Sequence, residues 1–191
     1  MNIKDIKVKE EQYRNYIKEH IDNVIKIWKA FAKQTTEMFY DNYVYCNVDK
    51  IIEQHDQSKY GDKEFDSYRR YFFPVKDSEK SKELFKLAWN NHQKTNPHHW
   101  QYWIMWSPEG SVALKMEWEY VIEMLCDWTA MSLKFNNKVS EWYRENKCKM
   151  LLHNDTIDFI EAKLPEFDRV LESLAPVSSC DLTPVSTDKQ T

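Results

Sequence analysis

Residues 112–135, VALKMEWEYVIEMLCDWTAMSLKF, decide the fold. Trp118, Val121, Ile122, Leu125, Cys126, Trp128, Thr129 and Met131 put apolar groups on more than one face of a helix. That predicts an element covered on several sides, at the centre of the molecule. Along the same helix Glu119, Glu123 and Asp127 fall at i, i+4 and i+8, an acidic line through a greasy segment. Such a line is ordinarily a solvated face. Flanks as apolar as those of Glu123 and Asp127 instead require at least one carboxylate to point inward, where a charge needs a partner.

Working outward, further helices are expected over residues 139–152 and 156–174. After Ala175 the chain turns to Pro, Ser, Thr and Val, and residues 175–191 are expected to be a disordered tail. Towards the N-terminus, Tyr13, Tyr16, Ile17, His20, Val24, Ile27, Trp28 and Phe31 recur at three- and four-residue steps, a long amphipathic helix with His20 on its buried stripe. Residues 35–47 are aromatic and irregular. Asp49 is expected to cap a short helix carrying Ile51, Ile52, His55 and Asp56, ended by Gly61. Residues 64–73 form a short helix or turn closed by Pro74. Ser78 opens another helix with Leu84, Phe85, Leu87, Ala88 and His92 on one side, running out at Asn96-Pro97. Pro97 then starts an element with His98, His99 and Trp100, and Trp103 and Trp106 lead to a break at Pro108-Glu109-Gly110.

Composition narrows the class. Two glycines in 191 residues argue against hairpin-rich β structure, phosphate loops and dinucleotide folds, each of which needs positive φ at fixed points. The expected fold is all-α: a single-domain bundle of six or seven helices over residues 1–174. A net charge of -4, with both signs interspersed, leaves no footprint for duplex nucleic acid. No stretch is long enough to span a bilayer and the N-terminus is polar, so a cytoplasmic protein is expected. Cys46, Cys126, Cys148 and Cys180 lack paired spacing, which leaves out a zinc knuckle or a disulfide framework. Trp142 and Tyr143, on an apparently outward face, would suit a homodimer contact.

Four of the expected helices each offer metal-type side chains facing inward: His20; His55 with Asp56; His92 with His98 or His99; and Asp127. His20 alone would read as a core histidine. Five of six histidines at an inner stripe or terminus of a core helix are explained more economically by one shared ion. Mixed nitrogen and oxygen ligation suits Mn, Fe, Co, Ni or Zn, one or two ions, better than Mg or Ca. His98 and His99 would diverge by about 100° on a helix, so one of them, with His99 slightly preferred, is expected to ligate. Lys59, and Arg69 or Arg70, would neutralise an anionic substrate, and Glu123 would serve as an acid–base group or as a support for the ligands. Trp89, Trp100, Trp103 and Trp106 would stack a base or sugar. His153, beside a break, is expected at the surface.

This ordered set is similar to the HD-domain metallohydrolase superfamily, and residues 55–59, HDQSK, look like its HD-x-x-K form. More narrowly, HDQSKY, FKLAWNNHQKTNPHHW and EMLCDWTAMSLKF resemble a small uncharacterised family of bacterial and phage proteins with HD-like features. The resemblance implies an HD-like helical fold in which His20, His55, Asp56 and Asp127 hold one ion. It further implies that His92 and His98 or His99 add a second, with Asp56 bridging, while Lys59 contacts substrate. The implied activity is hydrolysis of a small phosphate ester such as a nucleotide. A di-iron oxygenase of the same fold, or a nucleotide-binding module without turnover, is the alternative.

Overall fold

In the computed structural model, which describes residues 2–35 and 42–174, seven α-helices and one small β-hairpin form a single domain among the described residues. The helices are α1 (Ile3–Thr35), α2 (Asn42–Glu53), α3 (Phe65–Phe72), α4 (Lys82–Thr95), α5 (Trp118–Phe135), α6 (Val139–Asn146) and α7 (Asn154–Leu174). The all-α bundle expected from the composition is therefore the observed fold. The expected tail over 175–191, and part of the irregular segment after Thr35, lie outside the described residues.

The central helix is α5, packed against α1, α2, α6 and α7. Val121, Ile122, Met124, Leu125, Cys126 and Ala130 are all buried, which is why its apolar residues cover several faces. The helix begins at Trp118 rather than at Val112. The preceding residues form an antiparallel hairpin, β1 (Ile104–Ser107) with β2 (Gly110–Ala113), paired Met105 to Val112 and Ser107 to Gly110. Few glycines did not exclude it, because a single glycine suffices: Gly110 takes φ 126° at the turn. Leu114 N–H donates to the Trp103 carbonyl, and the helix starts only after Glu117, its extended N-cap.

Two cores meet along α1. The larger gathers Val24, Ile27 and Phe31 with α2, α5, α6 and α7; the smaller gathers Tyr13, Ile17 and Ile21 with Tyr68 and Ala88. His20 lies where the two adjoin, and polar side chains from α4, α5 and the connections after α2 and α4 converge there.

Several local expectations are corrected. Asp49 sits inside α2, not at its start, and accepts from Trp28 Nε1. Helix α2 ends at Glu53, so His55 and Asp56 lie beyond it, before a 3-10 turn over Gln57–Tyr60. Ser81, not Ser78, caps α4, its hydroxyl accepting from Leu84 N–H. Leu84 and Leu87 are exposed, leaving Ala88 and His92 as the buried face of α4. Pro97 and His98 form a turn ahead of a 3-10 segment over Trp100–Trp103, so neither His98 nor His99 is helical. The helix expected over 139–152 stops at Asn146. Tyr143 is buried in the larger core and offers no dimer face, while half-buried Trp142 packs on Trp128 with centroids 4.9 Å apart. No helix among the described residues is long and apolar enough to cross a membrane.

Candidate metal centre

Five histidines and two aspartates converge at the seam between the cores. Helix α1 delivers His20, α4 delivers His92, and α5 delivers Asp127. The connections after α2 and α4 deliver His55 with Asp56 and His98 with His99. Sequence-adjacent His55 and Asp56 reach one point because Asp56 adopts the left-handed conformation, φ 58° and ψ 12°. Asp and Asn tolerate that region better than other non-glycine residues.

Asp56 is the hub. It is 1% exposed, and its two carboxylate oxygens face different histidines. Oδ2 lies 3.5 Å from both His20 Nε2 and His55 Nε2. Oδ1 lies 3.2 Å from His92 Nε2 and 3.7 Å from His98 Nε2. Asp127 Oδ1 closes the first half, 3.0 Å from His20 Nε2. His20, His55 and Asp127 offer ligand atoms within 4.8 Å of one another, and so do His92, His98 and His99. His98, buried and close to Asp56, is at least as well placed as His99, and the structure brings both together.

Outer contacts fix the rings. Glu123, 3% exposed, places Oε1 2.8 Å from His55 Nδ1 and 3.1 Å from His98 Nδ1. Burial raises the pKa of Glu123 and His55 opposes the rise; in its ionised form Glu123 accepts from both rings, which then carry their protons on Nδ1 and turn a bare Nε2 towards Asp56. Glu64 Oε2 does the same for His92 Nδ1 at 2.8 Å. It also accepts from Ser58 Oγ at 3.2 Å, while Asn96 Nδ2 donates to that hydroxyl at 2.9 Å. Glu64, Ser58 and Asn96 were not legible in the sequence, since an acid in Gly-Asp-Lys-Glu looks solvated.

The inner atoms, by contrast, are short of partners. Asp56 Oδ1, His98 Nε2 and His99 Nε2 are buried with no hydrogen-bond partner among the described residues. Lone pairs gathered without protons between them suit a cation, and the nitrogen–oxygen donor set fits a divalent transition metal. Burial opposes ionisation of Asp56, but Lys59, His55 and His92 outweigh it and hold its carboxyl well below the usual range. Asp127 is likewise held low, burial being outweighed by His20, His55 and His98. Burial pushes His98 down to about 4. Burial, with His98 and His92 alongside, takes His99 well below its ordinary value. Both rings are therefore neutral at pH 7, the form that ligates.

Two cavities open on the centre and share Trp89, His99, Asp127 and Met131. One, of about 370 Å³, is walled by Trp100, Trp128 and Trp142 and carries Gln101 and Asn137. The other, of about 310 Å³, is lined by Lys59, His20 and tyrosines. Lys59 Nζ donates to Asp56 Oδ2. Burial would deprotonate it, but Asp56 and Asp127 outweigh this and raise its pKa.

Of the two roles expected of Glu123, support under the imidazoles is the one its position fits, since it lines neither cavity. Two other expected roles change. Arg69 is 2% exposed and bound to Glu79 at 2.9 Å and Asp66 at 3.0 Å, away from both cavities. Trp103 packs on Tyr120 and Trp106 is 77% exposed on the hairpin, so the tryptophans at the centre are Trp89, Trp100, Trp128 and Trp142. His153 stands apart, its Nδ1 accepting from Asp155 N–H ahead of α7.

Fold and site together define a single-domain helical protein with a buried histidine–carboxylate centre. The chain belongs to a family of unknown function (DUF5662), whose model matches residues 9–166. No curated protein and no solved structure matches it.

Proposed function

We propose that the protein is a metal-dependent phosphohydrolase acting on a small phosphate ester, with a nucleotide the best-fitting class. The observation that carries this reading is Asp56, which sets one oxygen before His20 and His55 and the other before His92 and His98. The resemblance of the ordered histidines and aspartates to HD-domain enzymes supports it. His20, His55 and Asp127 would hold one divalent ion, His92, His98 and His99 a second, and Asp56 both. When bound, such ions supply a water of lowered pKa and polarise a phosphoryl oxygen.

The chain's own residues do the rest. Lys59, kept protonated by Asp56 and Asp127, offsets phosphate charge. Glu123 and Glu64 hold three imidazoles in the ligating tautomer. Trp100, Trp128 and Trp142 provide flat apolar walls for a base. Gln101 Oε1 and Asn137 Oδ1, buried without partners among the described residues, offer acceptors for its N–H groups.

Protein purified without chelator is expected to carry stoichiometric transition metal and, loaded with Mn²⁺, to release phosphate from a nucleotide panel, with activity lost on chelation. A chain that neither carries nor takes up metal would defeat the proposal. The all-imidazole trio also supports a second reading, a di-iron oxygenase; two irons per chain with near-UV iron absorption would favour it. Ligand binding without turnover would mark a sensor.

Within the proposed centre, Glu123→Gln is expected to keep the fold while lowering metal affinity about 10–100-fold. Competition against a chromophoric chelator measures this, and an unchanged affinity would mean Glu123 does not orient His55 and His98.

A further inference from the structure

Tyr13 on α1 and Tyr68 on α3 line the smaller cavity beside Lys59. They are 2% and 5% exposed, with nearly parallel rings at a centroid distance of 6.4 Å. The rings serve the smaller core: Tyr13 packs on Phe65 at 5.1 Å and Tyr68 on Phe85 at 5.5 Å. Phenylalanine would serve that packing equally well. Both hydroxyls, however, are buried and without a hydrogen-bond partner among the described residues. Burying a phenol oxygen unpaired costs stability that phenylalanine would not. Two such groups in one cavity wall call for a ligand.

The chemistry of that ligand follows from the donors. Lys59 has three N–H groups and donates one of them to Asp56. At neutral pH a phenol O–H is protonated and donates. An ammonium and two hydroxyls around one cavity suit an oxyanion with several acceptor oxygens. The tryptophan cavity on the other side of His99 and Asp127 offers flat walls, with Gln101 Oε1 and Asn137 Oδ1 as unpaired acceptors among the described residues.

We propose that Tyr13 and Tyr68 form an oxyanion-binding pair, their hydroxyls donating to the phosphoryl group of the substrate beside Lys59. The substrate then lies with its phosphate in the tyrosine cavity and its organic part among the tryptophans. The assignment of phosphate as the anion rests on the phosphohydrolase reading.

Tyr13→Phe and Tyr68→Phe, which keep the rings, test the pair. Inorganic phosphate is titrated calorimetrically into the Mn²⁺-treated full chain, and melting temperatures are recorded without phosphate. Each variant is expected to bind phosphate about tenfold more weakly and to melt at or above the wild-type temperature. Wild-type protein that binds no phosphate, variants that bind it unchanged, or variants that melt lower without phosphate would each overturn the pair. Phosphate binding that needs both hydroxyls, in a protein that hydrolyses no ester, would leave the pair standing and remove the hydrolase reading. Ester hydrolysis with an unchanged KM in both variants would do the reverse.

Discussion

Asp56→Asn is expected to cost about a thousandfold or more in phosphate-ester turnover, and to strip stoichiometric metal from the purified protein. Asparagine is the informative replacement because it keeps the size of the side chain and tolerates the left-handed backbone at φ 58°. Alanine would add a conformational cost of roughly 1–2 kcal/mol and blur the reading. What asparagine removes is one anionic oxygen. Asp56 has one oxygen before each set of imidazoles, so an amide there leaves one side facing an N–H₂ donor where a cation should sit. Metal content by elemental analysis and turnover on the best substrate of the panel give two readouts. An Asp56→Asn protein with full metal content and turnover within tenfold of wild type would sink the shared-ligand arrangement.

The second large effect concerns stability rather than catalysis. Arg69→Met is expected to lower the unfolding free energy by roughly 3 kcal/mol, by loss of one partner from a buried ion pair. Arg69 holds Glu79 Oε2 at 2.9 Å, and the same carboxylate oxygen accepts from Val75 N–H at 2.8 Å, so this arginine ties the segment between α3 and α4 in place. Asp66, its other partner, is more than half exposed and can be rehydrated, which keeps the expected loss at the lower end. Urea titration measures the change, and turnover below the transition should stay close to wild type. Intact stability with weakened substrate affinity would instead restore the substrate-binding role expected from the sequence.

Much of the fold was legible in the residues. Apolar groups all round residues 118–131 require a covered helix, and the single stripe of Tyr13, Ile17, Val24 and Phe31 requires a helix with one face on the core. The hairpin was not legible, because residues 112–117 read as the start of the helix and the break at Pro108-Glu109-Gly110 does not disclose that strands flank it. In the site, the donors were legible since histidines are few and His20 and His92 sit on inward stripes, while His55, His98 and His99 come from connections between helices. Their supports were not. Glu64 and Ser58 look like surface residues, and only the approach of α4 to the 3-10 turn makes them partners of His92. Tyr13 and Tyr68 look like plain core until their hydroxyls are found unpaired. Arg69 failed as a substrate ligand because a cation in sequence does not disclose which carboxylates will enclose it.

Glu123 has one further consequence. A single oxygen of this residue stands under a ring from each half of the centre, His55 and His98. In the two-ion arrangement proposed above, the first ion to bind would fix the tilt of its own imidazole and, through that shared oxygen, steady the other ring. The second ion would then enter a half that has less left to organise. Loading would be cooperative, with singly occupied molecules scarce.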